Sequence, residues 1–317
     1  MKKLLLLITI NICLSQQIKI EGQNYLKLGG EGAQSIALGK ALITKTNTPL
    51  VSYSNPAALS FIETNNFMLD WGNVLPNYAQ DYFKTLISFN YKINTDNMIG
   101  GYIYHFNMGE YIFMDYGGNQ LFYNKYKMAI SLSYPKKINN NSSLGVSMKV
   151  LSENYTDEIG SEKTSYGYAF DLGYLLVLKH FKIGASIKNI GNAFDKEKNE
   201  LPLQLLLGSL YEVNIYNRRF DILLDIDRDL NNADIVDYSL GLEYIHSDNI
   251  IIRSGYLITE LGYSNYERFY TWGLGYKFKN IIIDFGYRGG EQGHPLSNTM
   301  LFSLTYQMKN KSITNPL

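Results

Sequence analysis

The chain has 317 residues and a balanced charge, with 29 Lys and Arg residues against 29 Asp and Glu residues. Such a balance gives no net electrostatic attraction to nucleic acid, so no nucleic-acid partner is expected. Tyrosine and glycine each occur 27 times, a bias typical of membrane β-strands with aromatic residues at the lipid–water interface.

Residues 1–15 have the pattern of a secretory signal peptide. A basic start is followed by an apolar run over 4–14, which is too short to span a bilayer as a helix. Acylation of Cys13 is the less favoured alternative, because Ile12 is large and branched where a lipoprotein signal needs a small residue. The sequence therefore predicts export. Cleavage would remove the single cysteine, so no disulfide and no thiolate metal site are expected.

The segment 29–60 is the one long stretch that does not alternate like a strand. Its small residues allow close backbone approach, and its Asn-Pro-Ala ending suits a helix start with a capping Asn and a Pro at the first helical position. We expect residues 16–64 to form an N-terminal segment and a small helical hatch, or plug. The alternative is the first helix of an ordinary globular domain. The residues that carry the hatch prediction are Gly32, Ala33, Ala37, Gly39, Asn55, Pro56 and Ala57.

From Asn65 to Met308 the apolar and polar residues alternate with a period of two, which predicts strands. No apolar run after residue 14 approaches the roughly 20 residues that a membrane-spanning helix needs. The alternating segments number about fourteen and are each about as long as a tilted membrane strand. They lie near 65–73, 82–93, 98–107, 122–134, 143–154, 165–178, 181–190, 201–213, 219–228, 236–245, 250–259, 270–278, 281–288 and 299–308.

The links between these segments alternate in length, as the short periplasmic turns and long external loops of membrane barrels do. The sequence therefore predicts an all-β fold: a transmembrane antiparallel outer-membrane β-barrel of about 14 strands over 65–308, with a small N-terminal helical hatch. A polar tail follows at 309–317. The expected location is the bacterial outer membrane, with outer-membrane lipid around the barrel.

If the large apolar side chains face lipid, the opposite strand face lines the lumen and carries the charges. Both signs occur, which favours paired charges and water over an ion-selective ring of one sign. The same reasoning places His105, between Tyr104 and Phe106, in the lumen. The predicted lumen charges are Lys127, Lys149, Asp171, Lys182, Lys188, Asp225, Glu243, Arg253 and Asp284, with Asp221, Asp227 and Lys277 beside them.

Catalytic patterns are weak. The four histidines are scattered without H-E-x-x-H spacing, and the glycines of 29–32 lack the Gly-Lys-Ser/Thr ending of a phosphate loop. We expect no enzyme, no metal site and no organic cofactor.

Several passages resemble a known group of barrels. Gly32-Ala33, the run 35–39 and Asn55-Pro56-Ala57 resemble the hatch signature shared by FadL-like fatty-acid transporters and the PorV/PorQ family of type IX secretion. The passages 186–191 with 201–203, 241–244 with 253–256, and 283–306 resemble later PorV/PorQ motifs. The chain departs from the hatch pattern at 46–48, which lacks the usual acidic residues.

The resemblance implies an outer-membrane barrel that binds and shuttles secreted proteins, contacting their C-terminal sorting domain and other type IX secretion components. The alternative is a FadL-like transporter of hydrophobic small molecules, and a third reading is a porin-like barrel without a specific ligand. A transporter should line its interior with apolar residues beside the plug. Because the predicted lumen is rich in charge, the sequence favours the secretion role.

Overall fold

The computed structural model describes residues 32–77, 80–94, 97–114, 120–156, 162–193, 201–216, 218–231, 236–247, 249–259 and 267–308. The predicted signal peptide (1–15), residues 16–31 of the predicted N-terminal segment and the predicted tail (309–317) lie outside the described residues.

Fourteen antiparallel strands in the described part of the chain close into a barrel, which confirms the predicted fold class. Each strand pairs with the next along the chain, and the first pairs with the last. Closure leaves no strand edge with unpaired backbone groups, which is what lipid requires. The strands are β1 (Asn65–Asn73), β2 (Tyr82–Lys92), β3 (Met98–Met114), β4 (Gln120–Lys137), β5 (Ser142–Thr156), β6 (Glu162–Val177), β7 (Phe181–Ala193), β8 (Gln204–Ile215), β9 (Arg218–Asp229), β10 (Val236–Ile245), β11 (Ile250–Thr259), β12 (Glu267–Phe278), β13 (Ile281–Gly289) and β14 (Thr299–Met308).

The links define two ends of the barrel. At the short-turn end the strands are joined by 93–97, 138–141, 178–180, 216–217, 246–249 and 279–280. At the long-loop end they are joined by 74–81, 115–119, 157–161, 194–203, 230–235, 260–266 and 290–298. β1 begins and β14 ends at the short-turn end. In bacterial membrane barrels the short turns face the periplasm.

The predicted strand bounds fail mainly at the long-loop end of β3 to β6. The sequence ended β3 at residue 107, whereas pairing with β4 continues to Met114 after a register shift between Asn107 and Glu110. Gly109, with a φ of 76°, lies in this irregularity. A bulge interrupts the period of two without ending the backbone ladder, so the pattern stops before the strand does.

Side chains alternate between the two faces of the wall. In β14 the residues from Thr299 to Tyr306 are alternately buried and exposed. The outward positions carry large apolar residues, such as Leu132, Val146 and Leu274, which are 59%, 50% and 50% exposed. This apolar exterior suits contact with membrane lipid. No helix in the described ranges is long and apolar enough to cross a membrane.

The hatch, residues 32–64, lies inside the barrel. It contains α1 (Ala33–Ala37), α2 (Val51–Ser54) and a 3₁₀ helix (Pro56–Phe61). All residues of α1 and α2 are buried. Following the chain, the hatch passes β13, β12, β11 and β10, then β8 and β7, then β6, β5 and β3. The hatch thus follows the inner surface of the wall around the lumen.

Nine inward glycines on nine strands let the backbone or side chains of the hatch approach the wall. A Cβ on Gly286 of β13 would clash with the carbonyl of Ala33, and one on Gly255 of β11 would clash with the backbone of Gly39. This inner glycine ring consists of Gly100, Gly145, Gly173, Gly184, Gly208, Gly241, Gly255, Gly273 and Gly286.

Candidate functional site

The nine predicted lumen charges all lie on the inner face of the wall, where each is at most 8% exposed. Asp221 is buried with them, whereas Asp227 and Lys277 are partly exposed. Lys127 pairs with Glu153 of the wall at 2.9 Å. Most of the others contact the hatch or a network that reaches it.

A chain of ion pairs joins the hatch to three wall strands. Lys45 of the hatch lies 2.6 Å from Glu243 of β10, whose second oxygen accepts a 2.7 Å hydrogen bond from Arg253 of β11. Arg253 also donates to Asp284 of β13 at 2.6 Å. The other oxygen of Asp284 accepts from Gln34 of the hatch at 3.0 Å. Charges of both signs therefore satisfy one another inside the wall.

The network continues on the other side of the hatch lysine. That lysine is 3.4 Å from Asp221 of β9, which also pairs with Arg219 at 2.7 Å. Arg219 reaches Glu212 of β8 at 2.8 Å, and Glu212 pairs with Lys182 of β7 at 3.0 Å. Lys182 returns to the hatch by donating to Thr46 at 3.0 Å.

A second buried cluster lies where β6 and β7 shift register. Lys149 of β5 pairs with Asp171 of β6 at 2.7 Å and also contacts the side chain of Asn189. The same carboxylate accepts a 2.8 Å hydrogen bond from the Asn189 backbone N–H. Lys188 lies 3.9 Å from the ring centroid of Tyr53 in α2, an attractive cation–π contact.

Two wall carboxylates bind hatch backbone directly. Asp70 of β1 accepts from the N–H of Ala33, at the start of α1, at 2.7 Å. Asp225 of β9 accepts from the N–H groups of Leu42 and Ile43 at 2.6 and 3.0 Å. These N–H groups are buried away from water and would otherwise lack a hydrogen-bond partner. The carboxylates therefore fix the hatch in place.

The remaining part of the lumen is mostly apolar, although Asp70 of β1 and Lys84 of β2 are also buried there. Toward the long-loop end, inward side chains of β1 to β3, β11, β12 and β14 pack together in one buried cluster. Neighbouring rings contact one another, with Tyr53 and Tyr102 centroids 5.1 Å apart. We call this surface the apolar lumen lining; it comprises Met68, Leu86, Tyr102, Tyr104, Phe106, Leu257, Phe269 and Leu301.

The prediction for His105 is wrong, and the reason concerns this lining. Tyr104 and Phe106 are fully buried inside, whereas His105 is exposed on the exterior and stacks on Tyr126 at 5.6 Å. On this strand apolar residues occupy both faces, so alternation alone does not tell lipid from lumen. The assumption that large apolar residues face lipid fails where the lumen itself is apolar.

The link 290–298 folds into the mouth of the barrel. Leu296 is 1% exposed, and Arg288 of β13 donates to its carbonyl at 3.1 Å. His294 pairs with Glu267 of β12 at 2.7 Å and packs edge-on against Phe269 with 5.0 Å between ring centroids. This link therefore covers the apolar lumen lining from the long-loop end, and we call it the mouth loop.

Comparison with known proteins gives matches in structure only. No family model matches the sequence, and no match was found among curated proteins. The Ralstonia pickettii toluene transporter TbuX is similar with a TM-score of 0.63 and 16% identity, over 89% of this chain and 99% of that one. The Pseudomonas putida toluene transporter TodX gives 0.59 and 15%, over 90% and 100%. A Pseudomonas aeruginosa FadL homologue gives 0.58 and 12%, over 88% and 98%.

The chain has the FadL-like barrel fold. At these low sequence identities, the structural similarity establishes the FadL-like fold and nothing more specific. The narrower resemblance to the PorV/PorQ family stays a prediction.

The first half of the predicted hatch motif lines the contact between the hatch and the wall of this FadL-like barrel. A Cβ on Gly32 would lie 2.7 Å from the Asp70 carboxylate, next to the hydrogen bond that Ala33 donates. Ala37 packs on the glycine ring, and its carbonyl accepts from the wall at 3.2 Å. Gly39 has a φ of 61°, and a Cβ there would lie 2.8 Å from a β11 carbonyl.

The second half of the motif turns the chain. Asn55 accepts from the N–H of Ala57 at 3.1 Å and donates to the carbonyls of Ile43 and Tyr174 at 3.2 and 3.0 Å. Pro56 opens the 3₁₀ helix, as expected of a Pro at the first helical position. One side chain thus joins two parts of the hatch to β6.

Sequence reasoning missed Lys45 and Asp70. Asp70 sits at an inward position of a predicted strand, so alternation could have found it. Lys45 lies in the hatch, where no periodic pattern indicates which side chains meet the wall.

Proposed function

We propose that this FadL-like barrel lies in a bacterial outer membrane and admits hydrophobic small molecules. The observation that carries the proposal is the apolar lumen lining between the mouth loop and the hatch. Ligand sites for apolar molecules are lined mainly by apolar and aromatic side chains with few polar groups. The toluene transporters of the same fold are consistent with this substrate class.

Charge in the lumen does not oppose this proposal. The ion pairs that reach the hatch lie on β7 to β13, and they hold the hatch against the wall. The apolar lining lies against β1 to β3, β11, β12 and β14. An apolar molecule on this lining would avoid the ion pairs of β7 to β13 but would lie near the buried Lys84 of β2 and Asp70 of β1. The hatch would have to shift before the molecule passed.

The test is uptake of two radiolabelled probes, toluene and oleate, by a bacterial strain that lacks its own hydrophobic-compound channels. Expression of this chain should raise uptake of at least one probe. Phe106→Asp puts a charge into the lining and should abolish the gain, whereas Phe106→Leu keeps an apolar surface and should retain most of it. Equal uptake by both variants and by empty cells would refute the proposal.

Protein secretion of the PorV/PorQ type is the second candidate. It is supported by the sequence resemblance and by the filled lumen, since a barrel that only binds secreted proteins needs no open path. Within the resembling passages, Asn189 donates to the Pro202 carbonyl at 2.8 Å. These residues join β7 to its loop, a structural task that fits either function.

Affinity purification from detergent-solubilised outer membranes, followed by mass spectrometry, separates the two candidates. Co-purification of secreted proteins that share a C-terminal β-domain would support secretion. Bound fatty acids or other apolar ligands in a lipid extract, without such proteins, would support transport.

A further inference from the structure

The barrel exterior carries an apolar groove that the proposed transport does not use. It has a volume of about 400 Å³ and lies across β8 to β11 near the short-turn end. This volume falls within the range of roughly 300–1,000 Å³ that is typical of small-molecule sites. Outward side chains form its walls: Ile215, Phe220, Leu242, Tyr244, Ile252 and Ser254.

A small residue among large ones makes the recess. Ser254 of β11 lies opposite Leu242 on one side and Trp272 on the other. Its hydroxyl donates to the Thr271 carbonyl at 3.3 Å, so it does not present an unsatisfied donor to the groove. Beside it, the rings of Phe220 and Tyr244 stack with centroids 4.5 Å apart. The recess therefore offers an apolar slot bounded by aromatic walls.

An arginine and a histidine stand at the short-turn end of the slot. Arg218 is two residues from Phe220 on the same outward face of β9. Arg219 pairs with Ile245, so the next pair in register brings Arg218 beside His246. The Nδ1 atom of His246 lies 3.1 Å from the Tyr244 hydroxyl. At the membrane surface, Arg and His side chains near an apolar slot are placed to meet a lipid phosphate.

We propose that this groove binds one phospholipid of the periplasmic leaflet. One acyl chain lies in the slot beside Ser254, and the phosphate contacts Arg218 and His246. Charge complementarity favours this occupant over a second copy of the chain, which would bring an identical cationic edge to the same place. The inference rests on the proposed membrane location but not on transport.

Native mass spectrometry of the detergent-purified barrel, titrated with phosphatidylglycerol, tests the inference. Ser254→Phe fills the slot, and Arg218→Gln removes a phosphate contact. Each should weaken retention of a single lipid about tenfold, a shift that titration resolves readily. Ala185→Phe is the matched control, because Ala185 faces outward on β7 outside the groove and should leave retention unchanged.

Three results would overturn the inference: no retained lipid in the parent protein, equal retention in all variants, or a dimer that Ser254→Phe disrupts. The Arg218→Gln variant keeps the test valid even if Ser254→Phe folds poorly. Measuring uptake of toluene and oleate by the same variants distinguishes lipid binding from transport. Transport without lipid retention would refute this inference alone, and lipid retention without transport would refute the proposed function alone.

Discussion

Arg253 shows how a single residue holds the buried network together. It is 1% exposed and joins Glu243 and Asp284, two carboxylates on strands to either side of it. It reaches Asp284 across β12 because Gly275 has no side chain there; a Cβ would lie 3.0 Å from its guanidinium. An alanine at this glycine would obstruct the bridge.

Arg253→Met should therefore destabilise the barrel strongly. Both carboxylates would remain buried without their shared cation, which costs about 3–5 kcal/mol when one partner of a buried pair is removed. Urea unfolding of the barrel in detergent micelles measures the loss. A double variant that adds Glu243→Gln should recover part of it, and a single variant as stable as the parent would contradict the network's importance.

Asp225→Ala should loosen the hatch more than the wall. It removes the acceptor of two buried N–H groups, and each unsatisfied buried donor costs about 1–3 kcal/mol. Hydrogen exchange at Leu42 and Ile43 should accelerate, while exchange in β1 and β14 stays slow. Glu153→Ala is the control, because Glu153 pairs with Lys127 of the wall. Equal exchange at Leu42 in both variants would contradict the anchoring role.

At this scale the sequence predicts well wherever a residue lies in an alternating strand. The inward positions of Arg253 and Asp225 follow from period two, because one face of each strand must meet lipid. The hatch groups at these sites do not follow. Lys45, which shares Glu243 with Arg253, and Leu42, which donates to Asp225, lie in a segment without regular secondary structure. Which atoms meet there depends on the three-dimensional path of the chain.

Among the elements, β3 and the mouth loop depart most from what the pattern indicates. Alternation located β3 but assigned His105 to the wrong face, because this strand is apolar on both sides. The mouth loop was predicted only as a long external link. Its inward fold depends on a hydrogen bond from Arg288 to the Leu296 carbonyl and on Glu267 of β12, contacts that strand alternation does not indicate.

His294→Ala should release the mouth loop. It removes the 2.7 Å contact with Glu267 and the ring contact with Phe269, leaving the loop fewer contacts with the wall. Hydrogen exchange within 290–298 should accelerate, and uptake of toluene should rise or stay equal but not fall. His180→Ala, in the link 178–180 at the opposite end, serves as the control. Unchanged exchange in the loop would show that His294 does not hold it.

For the whole molecule, the pattern of strands and links predicted a closed barrel of fourteen strands, and the structure has it. The informative patterns were the alternation of apolar and polar residues within the strands and the alternating lengths of the links between them. Both are typical of a membrane barrel. The uneven distribution of ion pairs and apolar side chains around the lumen was not predictable, because it depends on where the hatch lies.

Locking the hatch to the wall should stop transport. A Cβ on Gly241 would lie 3.3 Å from the Cβ of Ala41, close to the separation of about 3.5–4.5 Å in disulfides. In Ala41→Cys/Gly241→Cys, oxidation should abolish uptake of toluene, and reduction should restore it. Either single variant should be insensitive to oxidant. Uptake that is equal in the oxidised and reduced protein would show that passage does not need the hatch to move.

The contact between Gln34 and Asp284 joins segments that are distant in the sequence. The Gln34 amide and the Asp284 carboxylate meet across 250 positions of sequence. Bringing such distant segments together costs loop-closure entropy before any contact compensates for it. The start of the hatch therefore joins the two ends of the wall, since Asp70 of β1 holds Ala33 and Asp284 of β13 holds Gln34.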